Sequence, residues 1–415
     1  MYIRRIEINN IRSIEHFEMT FPEGKEAGWH VLIGDNGSGK STIVRAVAAC
    51  LVGSGEIDTL RISWHDWIRK NSKYSTIGVD TSNLLPRLTI SIKAPSKPDL
   101  TSVIRFGPVT YYNLEPLPSR AFSAAYGPFR RFTGGNKDWE QKSKDYPRAT
   151  AHLSAFGEDV ALTEALDFIR ELYIRELDKT NIDPSKIDRI ALPNLIDFIN
   201  RSALLPHGAR IQTVNSESIN VQVGDHTTVS ITQLSDGFRS ILSLVLDLLM
   251  QLIFRFGSDE VFKNITEGGK TIGLPGVVLI DEVDSHLHPT WQDAIGEWFT
   301  TYFPNIQFIV TTHSPLICRA AEKGSIWRLA TPGSNEQSEE VIGTDRDRLI
   351  YGNILDAYGT GTFGEEIERS DESQKKLARL TRLNQLNRYG KISDEEKKER
   401  AELSKIFNTD DSLAE

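Results

Sequence analysis

The stretch "WHVLIGDNGSGKSTIVRAVAACLVG", residues 29–53, decides the fold of this chain. Its first part is apolar up to Ile33, its middle is rich in glycine, and its last part repeats apolar residues at the spacing of a helix. This order of strand, loop and helix is followed later in the chain by further alternating strands and helices. The pattern predicts a parallel sheet that helices cover on both faces.

The loop "GDNGSGKS", residues 34–41, matches the pattern G-x-x-x-x-G-K-[ST] in the strand, loop and helix context that the pattern requires. Its glycines permit the backbone angles that turn N–H groups onto phosphate oxygens, and the helix N-terminus adds a partial positive charge. We expect Lys40 to reach the β- and γ-phosphates of a nucleoside triphosphate, and the Ser41 hydroxyl to complete the coordination of Mg²⁺. A glycine-rich turn without a ligand is the alternative.

A second stretch, "VVLIDEVDSHLHP" at residues 277–289, runs from a buried strand into acidic residues. A nucleotide-bound Mg²⁺ needs a carboxylate from a neighbouring strand end, and Asp281 is expected to hold it directly or through water. Glu282 is expected to face the other way along the strand and to orient and deprotonate the attacking water. The alternative is that the two acids simply end a strand in solvent.

A third stretch, "LSDGFRS" at residues 234–240, has the composition of a helix N-terminus. Ser235 and Asp236 are candidates for the cap, Gly237 has no side chain, and an apolar helix follows. A capped helix end with a glycine is a second anion site, which could meet the γ-phosphate of a nucleotide held elsewhere. A plain helix start is the alternative.

A fourth stretch, "FIVTTHSP" at residues 308–315, predicts a strand followed by His313. Because neighbouring parallel strands end at the same edge of a sheet, we expect His313 to approach the γ-phosphate and Glu282. A strand-end histidine that is simply a satisfied polar group is the alternative.

Composition limits the remaining possibilities. The chain has 415 residues, a formal net charge of −9 and two cysteines without zinc spacing, which is typical of a globular protein in a reduced compartment. The N-terminus lacks the apolar core of a signal peptide, and the longest apolar run, residues 241–254, contains an aspartate and is shorter than the roughly 20 residues of a membrane span. These features predict a cytoplasmic protein without a membrane anchor.

Taken in chain order, the four stretches resemble the ABC-type ATPase heads, and residues 234–240 match the segment that is called the signature in that family. This signature is similar to the LSDG variant of the cytosolic SMC, RecF and OLD-type ATPases. The resemblance implies an α/β P-loop NTPase head with a mostly parallel sheet, helices on both faces and N-terminal antiparallel strands. It also implies ATP and Mg²⁺ as ligands and a head-to-tail homodimer in which the signature of one subunit closes the ATP site of the other.

The family's functional residues carry over onto matching positions of this chain. The implied nucleotide-binding residues are Arg12, Asn36, Gly37, Ser38, Gly39, Lys40, Ser41 and Thr42. The implied catalytic residues are Lys40, Glu282 and His313; the implied metal ligands are Ser41 and Asp281; the signature residues acting in trans are Ser235, Asp236 and Gly237; and the D-loop residues are Asp284 and His286.

The D-loop overlaps a possible zinc site, because Asp284, His286 and His288 stand at alternate positions. The D-loop of ABC-type heads runs across the dimer interface, so polar contacts between subunits are the preferred interpretation.

The implied organisation has two head segments. Residues 1–60 form the N-terminal half of the head, residues 61–227 a mixed α/β insertion, residues 228–350 the C-terminal half, and residues 351–415 a charged helical tail. In the tail, leucines recur every third residue from Leu377 and a capping box joins Ser393 to Glu396, which predicts a helical hairpin.

The stretches "SAAYGPFRRFTGG" at 123–135, "QLSDGFRS" at 233–240 and "LIDEVDSHLHPTWQ" at 279–292 carry a narrower resemblance. Together they resemble prokaryotic anti-phage defence ATPases such as the Septu component PtuA, which works with an HNH nuclease. It implies an ATPase that regulates a separate nuclease subunit, similar to PtuB, and that has no nuclease site of its own. DNA is a further candidate ligand, and higher oligomers than a dimer are open. The alternative function is a RecF-like or SMC-like clamp for DNA repair or recombination, in which ATP mainly controls DNA binding.

Two features depart from the family pattern or stay open. ABC-type heads carry a glutamine after the first helix, but no glutamine occurs between Lys40 and Gln141, so His65 or Asp66 could substitute and hydrolysis could be slow. Tyr126 with Arg130 and its neighbour Arg131 could contact nucleotide, nucleic acid or a partner, or could simply stack on the surface.

Overall fold

The computed structural model describes residues 1–82, 86–94, 109–114, 117–118, 120–130, 146–157, 163–177, 191–205, 208–216, 218–224, 227–334, 336–352, 371–389 and 392–406. The chain divides into two compact units, Met1–Phe363 and Gly364–Glu415. Arg131, whose contacts the sequence leaves open, lies outside the described residues.

The strands are β1 (Ile3–Ile11), β2 (Ile14–Thr20), β3 (Gly28–Ile33), β4 (Tyr74–Thr81), β5 (Leu88–Lys93), β6 (Val109–Asn113), β7 (Ser123–Tyr126), β8 (Arg210–Val214), β9 (Ile219–Val223), β10 (Thr227–Ser230), β11 (Gly276–Ile280), β12 (Ile306–Thr311), β13 (Gly324–Arg328) and β14 (Glu339–Glu340). The longer helices are α1 (Lys40–Val52), α2 (Thr163–Leu177), α3 (Ala191–Arg201), α4 (Asp236–Phe256), α5 (Pro289–Tyr302), α6 (Gly343–Tyr351), α7 (Asp371–Arg388) and α8 (Asp394–Ile406). Shorter helical turns are Ile57–Leu60, Trp64–Trp67, Pro147–Thr150, Leu153–Ala155, Ile231–Gln233, Ser258–Val261, Lys263–Thr266 and Pro315–Lys323.

The central sheet has the strand order β14-β13-β3-β12-β11-β7. All neighbours in it are parallel except β13 and β14. Strand β12 therefore lies between β3, which precedes the glycine-rich loop, and β11, which precedes the acidic residues. The carboxyl ends of these parallel strands meet at one edge of the sheet, and the predicted α/β class with a mostly parallel sheet is confirmed.

Helices cover both faces of this sheet. Along β11, Val278 and Ile280 belong to the same core as the apolar residues of α4, whereas Val277 and Leu279 belong to the core that contains α1. Because successive side chains of a strand point to opposite faces, one five-residue apolar strand supplies both cores. This explains why the strand is a continuous apolar run and does not alternate with polar residues.

The second sheet is antiparallel, with the order β2-β1-β4-β5-β6. Strands β1 and β2 are antiparallel neighbours, as the resemblance implies for the N-terminal strands, and Ile8 pairs with Phe17. The predicted insertion, residues 61–227, contributes β4, β5 and β6 to this sheet and β7 to the edge of the central sheet. A separate three-stranded sheet has the order β10-β9-β8; β8 and β9 belong to the insertion, and β10 begins at its last residue.

Helix α4 contains the long apolar run. Its 21 residues are long and apolar enough to cross a membrane by length and composition, and it is the only such helix in the part of the chain that the structure describes. The helix is therefore longer than the apolar run of residues 241–254 that the sequence shows. Of its most apolar 18 residues, 78% are buried inside the fold. We conclude that α4 is a core helix.

The second unit contains α7 and α8, which pack together through Leu380, Leu383 and Leu403. The predicted capping box is confirmed: the backbone N–H of Ser393 donates to Glu396, and the backbone N–H of Glu396 donates to the Ser393 hydroxyl. The predicted tail begins at residue 351, whereas this unit begins at Gly364.

Candidate functional site

The loop after β3 has the geometry of a phosphate cradle. Gly37 and Gly39 adopt left-handed backbone angles with φ of 82° and 103°, which a residue with a Cβ rarely adopts. Helix α1 begins at Lys40 without a side-chain cap, so its first N–H groups are left for another acceptor. The buried Ser38 hydroxyl has no hydrogen-bond partner among the described residues. These features fit a bound polyphosphate.

The other predicted loop residues lie around this cradle. Asn36 and Gly37 are exposed, Ser41 is half-buried, and Thr42 is buried in the first turn of α1. The β1–β2 turn closes one side, because a Cβ added at Gly39 would stand 2.7 Å from Cγ1 of Ile14.

Lys40 lies on the inner side of the loop. Its Nζ donates to the carbonyl oxygens of Gly34 at 2.6 Å and Asp35 at 3.0 Å. Burial lowers the pKa of Lys40, and the charges of Asp281 and Glu282 are the first to oppose this effect. The acidic residues after β11 are therefore close enough to act on the Lys40 charge, as the predicted shared site requires.

The acidic turn after β11 is held by β12. Asp281 is 1% exposed, and its Oδ1 accepts a hydrogen bond from the Thr311 hydroxyl at 2.6 Å. The same hydroxyl accepts the backbone N–H of Glu282 at 2.7 Å. One threonine of the middle strand thus contacts both members of the acidic pair.

Glu282 differs from the prediction in its backbone. The prediction places it as the next residue along the strand, but the strand ends at Ile280 and Glu282 lies in a turn with φ of 47°. Such a left-handed conformation is uncommon for a residue with a Cβ and costs of order 1–3 kcal/mol. Its Oε2 accepts from the Ser285 hydroxyl at 3.0 Å, so the turn itself directs the carboxylate.

The residues after the acidic pair are separated in space. Asp284 accepts a hydrogen bond from the Thr312 hydroxyl at 2.6 Å, whereas His286 is exposed and His288 caps the start of α5 by accepting from the backbone N–H of Thr290. Among the described residues, no three His, Cys, Asp or Glu side chains come together as a metal site. His313 follows β12 and is exposed at the same sheet edge.

The signature residues begin α4. Ser235 occupies the N-cap position, but its side chain makes no capping hydrogen bond, and Asp236 pairs with Arg239 one turn along. Of the two cap candidates, Ser235 is thus the N-cap residue, but it lacks the capping hydrogen bond, and Asp236 is the first residue of the helix. A Cβ added at Gly237 would lie 2.7 Å from the carbonyl oxygen of His286, so the structure brings the signature against the D-loop of the same chain.

Arg12 lies in the β1–β2 turn with φ of 49°. Its guanidinium is 4.9 Å from the ring centroid of Trp67, and its Nε contacts the carbonyl oxygen of Asp66 at 3.4 Å. Burial, followed by the nearby charge of Arg45, lowers the pKa of Arg12. The segment that contains His65 and Asp66 thus packs on Arg12.

Arg130 has a role that the sequence did not indicate. It lies four residues after Tyr126, the last residue of β7. The prediction has it contact a ligand or stack on the surface, but it is 4% exposed. Its Nη1 donates to the carbonyl oxygens of Gly127 at 3.0 Å and Asp281 at 2.9 Å, and its Nη2 to those of Glu282 at 3.0 Å and Val283 at 3.3 Å. Arg130 is therefore a buried cation that binds the backbone of the acidic turn.

Comparison with known proteins adds the family. Residues 100–319, more than half of the chain, match the AAA_21 family model, described as "AAA domain, putative AbiEii toxin, Type IV TA system". The chain belongs to this AAA-domain family. A second AAA-domain model matches residues 5–83 of this family member, the part with the glycine-rich loop.

Two curated relatives of this AAA-domain protein cover most of the chain. A Septu protein PtuA of Bacillus mycoides (strain KBAB4) is 26% identical over 82% of this chain and 42% of its own length. The "Retron Ec83 probable ATPase" of Escherichia coli is 25% identical over 78% of this chain and 70% of its own length. The chain thus spans less than half the length of that PtuA protein. Among solved structures, an SMC head bound to the C-winged helix domain of ScpA is 18% identical and covers 82% of this chain and 97% of its own, with a TM-score of 0.46.

Proposed function

We propose that this protein is an ATPase head that binds and hydrolyses ATP with Mg²⁺, pairs head-to-tail around the nucleotide, and regulates a separate nuclease in cytoplasmic anti-phage defence. One observation carries the proposal: a glycine-rich cradle, a buried lysine and an acidic pair meet at one edge of a parallel sheet. The middle strand, β12, bonds to the acidic pair through Thr311.

The residues of this edge have separate tasks in the proposal. The loop N–H groups and Lys40 would hold the phosphates, while Ser41 and Asp281 would hold the metal. The metal, when bound, would neutralise charge on the phosphate oxygens. Glu282, whose carboxylate the turn directs, would orient the attacking water and take its proton. His313, exposed beside them, would contact the terminal phosphate.

The dimer is supported by the signature helix. The Ser235 hydroxyl stands exposed at the N-terminus of α4 and does not cap its own helix. An uncapped helix end with a free hydroxyl is suited to an anion from outside the chain. In the proposed pair it meets the γ-phosphate held by the partner, and the D-loop residues Asp284 and His286 lie at the interface.

The defence role and the nuclease partner rest on the relatives, one of which is named a Septu protein and another a retron ATPase. An HNH nuclease subunit similar to PtuB is the proposed partner. The second hypothesis, a clamp that binds DNA under the control of ATP, remains a prediction. Purification of the complex from its native operon separates them: a nuclease subunit at fixed stoichiometry supports the first, and ATP-dependent DNA binding without such a subunit supports the second.

The ATPase assignment is tested with Glu282→Gln, which keeps the shape of the side chain but removes the base. The parent should hydrolyse ATP, and the variant should bind ATP, hydrolyse it at least about 100-fold more slowly, and elute as a dimer when ATP is present. Glu260→Gln, at an exposed position, is the control. If Glu282→Gln hydrolyses ATP as fast as the parent, Glu282 is not the base.

A further inference from the structure

Arg130 contacts more than the acidic turn. Its Nε lies 3.3 Å from the hydroxyl of Ser240, which is buried in the second turn of α4. One planar guanidinium therefore bonds to the end of β7, to the turn after β11 and to the helix that begins with the signature. Arginine is suited to this because its donors point in a fixed fork.

A neighbouring residue makes a parallel connection. The Tyr126 hydroxyl donates to Oδ2 of Asp247 on α4 at 2.8 Å, and the Tyr126 carbonyl accepts the backbone N–H of Asp281 at 2.8 Å. The short segment 126–130 thus contacts α4 twice and the acidic turn repeatedly. The side chains of Tyr126, Arg130, Asp247 and Asp281 are all buried, so their positions depend mainly on each other.

Stability alone does not account for this arrangement. Burial lowers the pKa of Arg130 to about 10, with the charges of Asp281, Asp284 and Glu282 opposing the effect, so the guanidinium stays charged at neutral pH. A buried charge is costly to desolvate and is often replaced by apolar side chains without loss of stability. Its bonds are to carbonyl oxygens of a turn in which Glu282 has an uncommon backbone conformation. Such a conformation persists only where the surroundings hold it.

We propose that Arg130 is a positioning residue that fixes the acidic turn and the signature helix in one arrangement, so that Glu282 is correctly placed only while α4 is correctly placed. This inference rests on the proposed function. In the paired heads, α4 of a subunit contacts the nucleotide of its partner, while the acidic turn serves the subunit's own nucleotide. Within each chain, Arg130 therefore connects the acidic turn, which serves the chain's own ATP site, to α4, which serves the ATP site of the partner.

The chain contains a matched control. Arg255, at the other end of α4, donates to the carbonyl oxygens of Ala121 at 3.1 Å and Pro118 at 3.1 Å, just before β7 begins. It joins the same helix to the same strand region, and burial lowers its pKa as well. Neither of these two hydrogen bonds reaches the acidic turn. Arg255 is half-buried, so Arg255→Met removes a link between α4 and the segment before β7 without removing any contact to Glu282.

The first test measures ATP hydrolysis by purified full-length protein. Arg130→Met should lower kcat by about 100-fold, the loss expected from a displacement of about 1 Å, with KM within about threefold of the parent. Arg130→Lys keeps the charge but has a single nitrogen, which cannot make all of these hydrogen bonds. Its kcat should therefore lie within about threefold of the kcat of Arg130→Met. Arg255→Met should keep the parent's kcat. Parental kcat in Arg130→Met or in Arg130→Lys would overturn the inference.

The second test does not depend on activity. Hydrogen exchange of backbone amides should increase at residues 281–287 and 235–240 in Arg130→Met, and at neither segment in Arg255→Met. Unchanged exchange at both segments in Arg130→Met would overturn the inference. A parent that does not hydrolyse ATP would contradict the proposed function, and the exchange data would still decide whether Arg130 fixes the two segments. Should Arg130→Met fail to fold, Ser240→Ala and Arg130→Lys replace it in both measurements.

Discussion

The hydroxyl of Thr311 donates to Oδ1 of Asp281 at 2.6 Å and thereby joins the middle strand of the central sheet to the acidic turn. The same oxygen accepts the backbone N–H of Glu282. A hydroxyl is the smallest group that can donate to one residue and accept from the next. The proposed metal ligand and the proposed base are thus set relative to each other by a residue that has neither task.

Thr311→Val should therefore impair hydrolysis more than binding. Valine has the same shape but leaves a buried carboxylate oxygen and a backbone N–H without their partner, which costs about 1–3 kcal/mol for each unsatisfied group. We expect kcat to fall by about tenfold to 100-fold and the Mg²⁺ concentration for half-maximal activity to rise, with little change in ATP affinity. Thr311→Ser retains the hydroxyl, so its kcat and its Mg²⁺ dependence should be close to those of the parent. Parental Mg²⁺ dependence in the valine variant would contradict this.

Gly237→Ala should disturb the contact between the signature and the D-loop. In a helix, alanine is usually about 1 kcal/mol more favourable than glycine. Here the added Cβ would lie 2.7 Å from the carbonyl oxygen of His286, which is backbone and cannot rotate away. Overpacking of this kind costs about 1–3 kcal/mol, so the clash should win. We expect a lower melting temperature and weaker ATP-dependent dimerisation. Gly55→Ala, whose Cβ would meet nothing within 4 Å, is the control. A more stable Gly237→Ala would show that the contact is not formed.

Asp247 should make stability depend on pH. Burial raises its pKa from 3.8 to about 6, and its hydrogen bonds to Tyr126 and Gln251 only partly oppose this. The folded protein therefore holds the proton more tightly than the unfolded chain, so the contribution of Asp247 to stability is fully present below pH 3.8 and is lost as the pH rises through about 6. At about 1.36 kcal/mol for each pKa unit, the loss is on the order of 3 kcal/mol.

Asp247→Asn removes this titration and keeps an oxygen that can accept from Tyr126. The melting temperature of the variant minus that of the parent should increase between pH 4 and pH 7 and change little above it. Other titrating groups are common to both proteins and cancel in the difference. Asp259→Asn, at an exposed position, should give no such trend. A difference that does not vary with pH would mean that Asp247 is not buried as described.

Leu383→Ala should unfold the helical hairpin of the second unit. Leu383 is fully buried, and only Leu380 and Leu403 share its small buried core among the described residues. Truncation of a buried leucine costs about 2–5 kcal/mol, which is a large share of what so small a core can supply. Backbone amides of α7 and α8 should lose their protection from hydrogen exchange, whereas Lys375→Ala on the exposed side of α7 should leave it intact. Retained protection in Leu383→Ala would show that other contacts hold the hairpin.

Local sequence patterns predict the parts of the site that depend on neighbours in the chain. The glycine spacing of the loop, the apolar strand before Asp281 and the capping box at Ser393 are each determined within about ten residues. Backbone angles and short-range hydrogen bonds decide such features, and both can be inferred from residue type and spacing.

Long-range packing decides the parts that the sequence did not predict. Arginine next to aromatic residues has the same local pattern on a surface as in a core, so the pattern around Arg130 does not reveal that it binds the backbone 151 residues later at Asp281. The position of β7 at the edge of the central sheet depends likewise on pairing with β11. The left-handed turn at Glu282 is held by Thr311 and Arg130, and neither is a chain neighbour.

The placement of β12 between β3 and β11 also has a consequence for synthesis on the ribosome. Both strands that flank β3 in the sheet, β12 and β13, are translated more than 250 residues after it. Until they emerge, the strand that leads into the glycine-rich loop has no sheet neighbour, and closing so long a loop is slow. The nascent chain must therefore keep this buried apolar strand from aggregating while about 270 further residues are made, which makes its assembly sensitive to chaperones and to the speed of elongation.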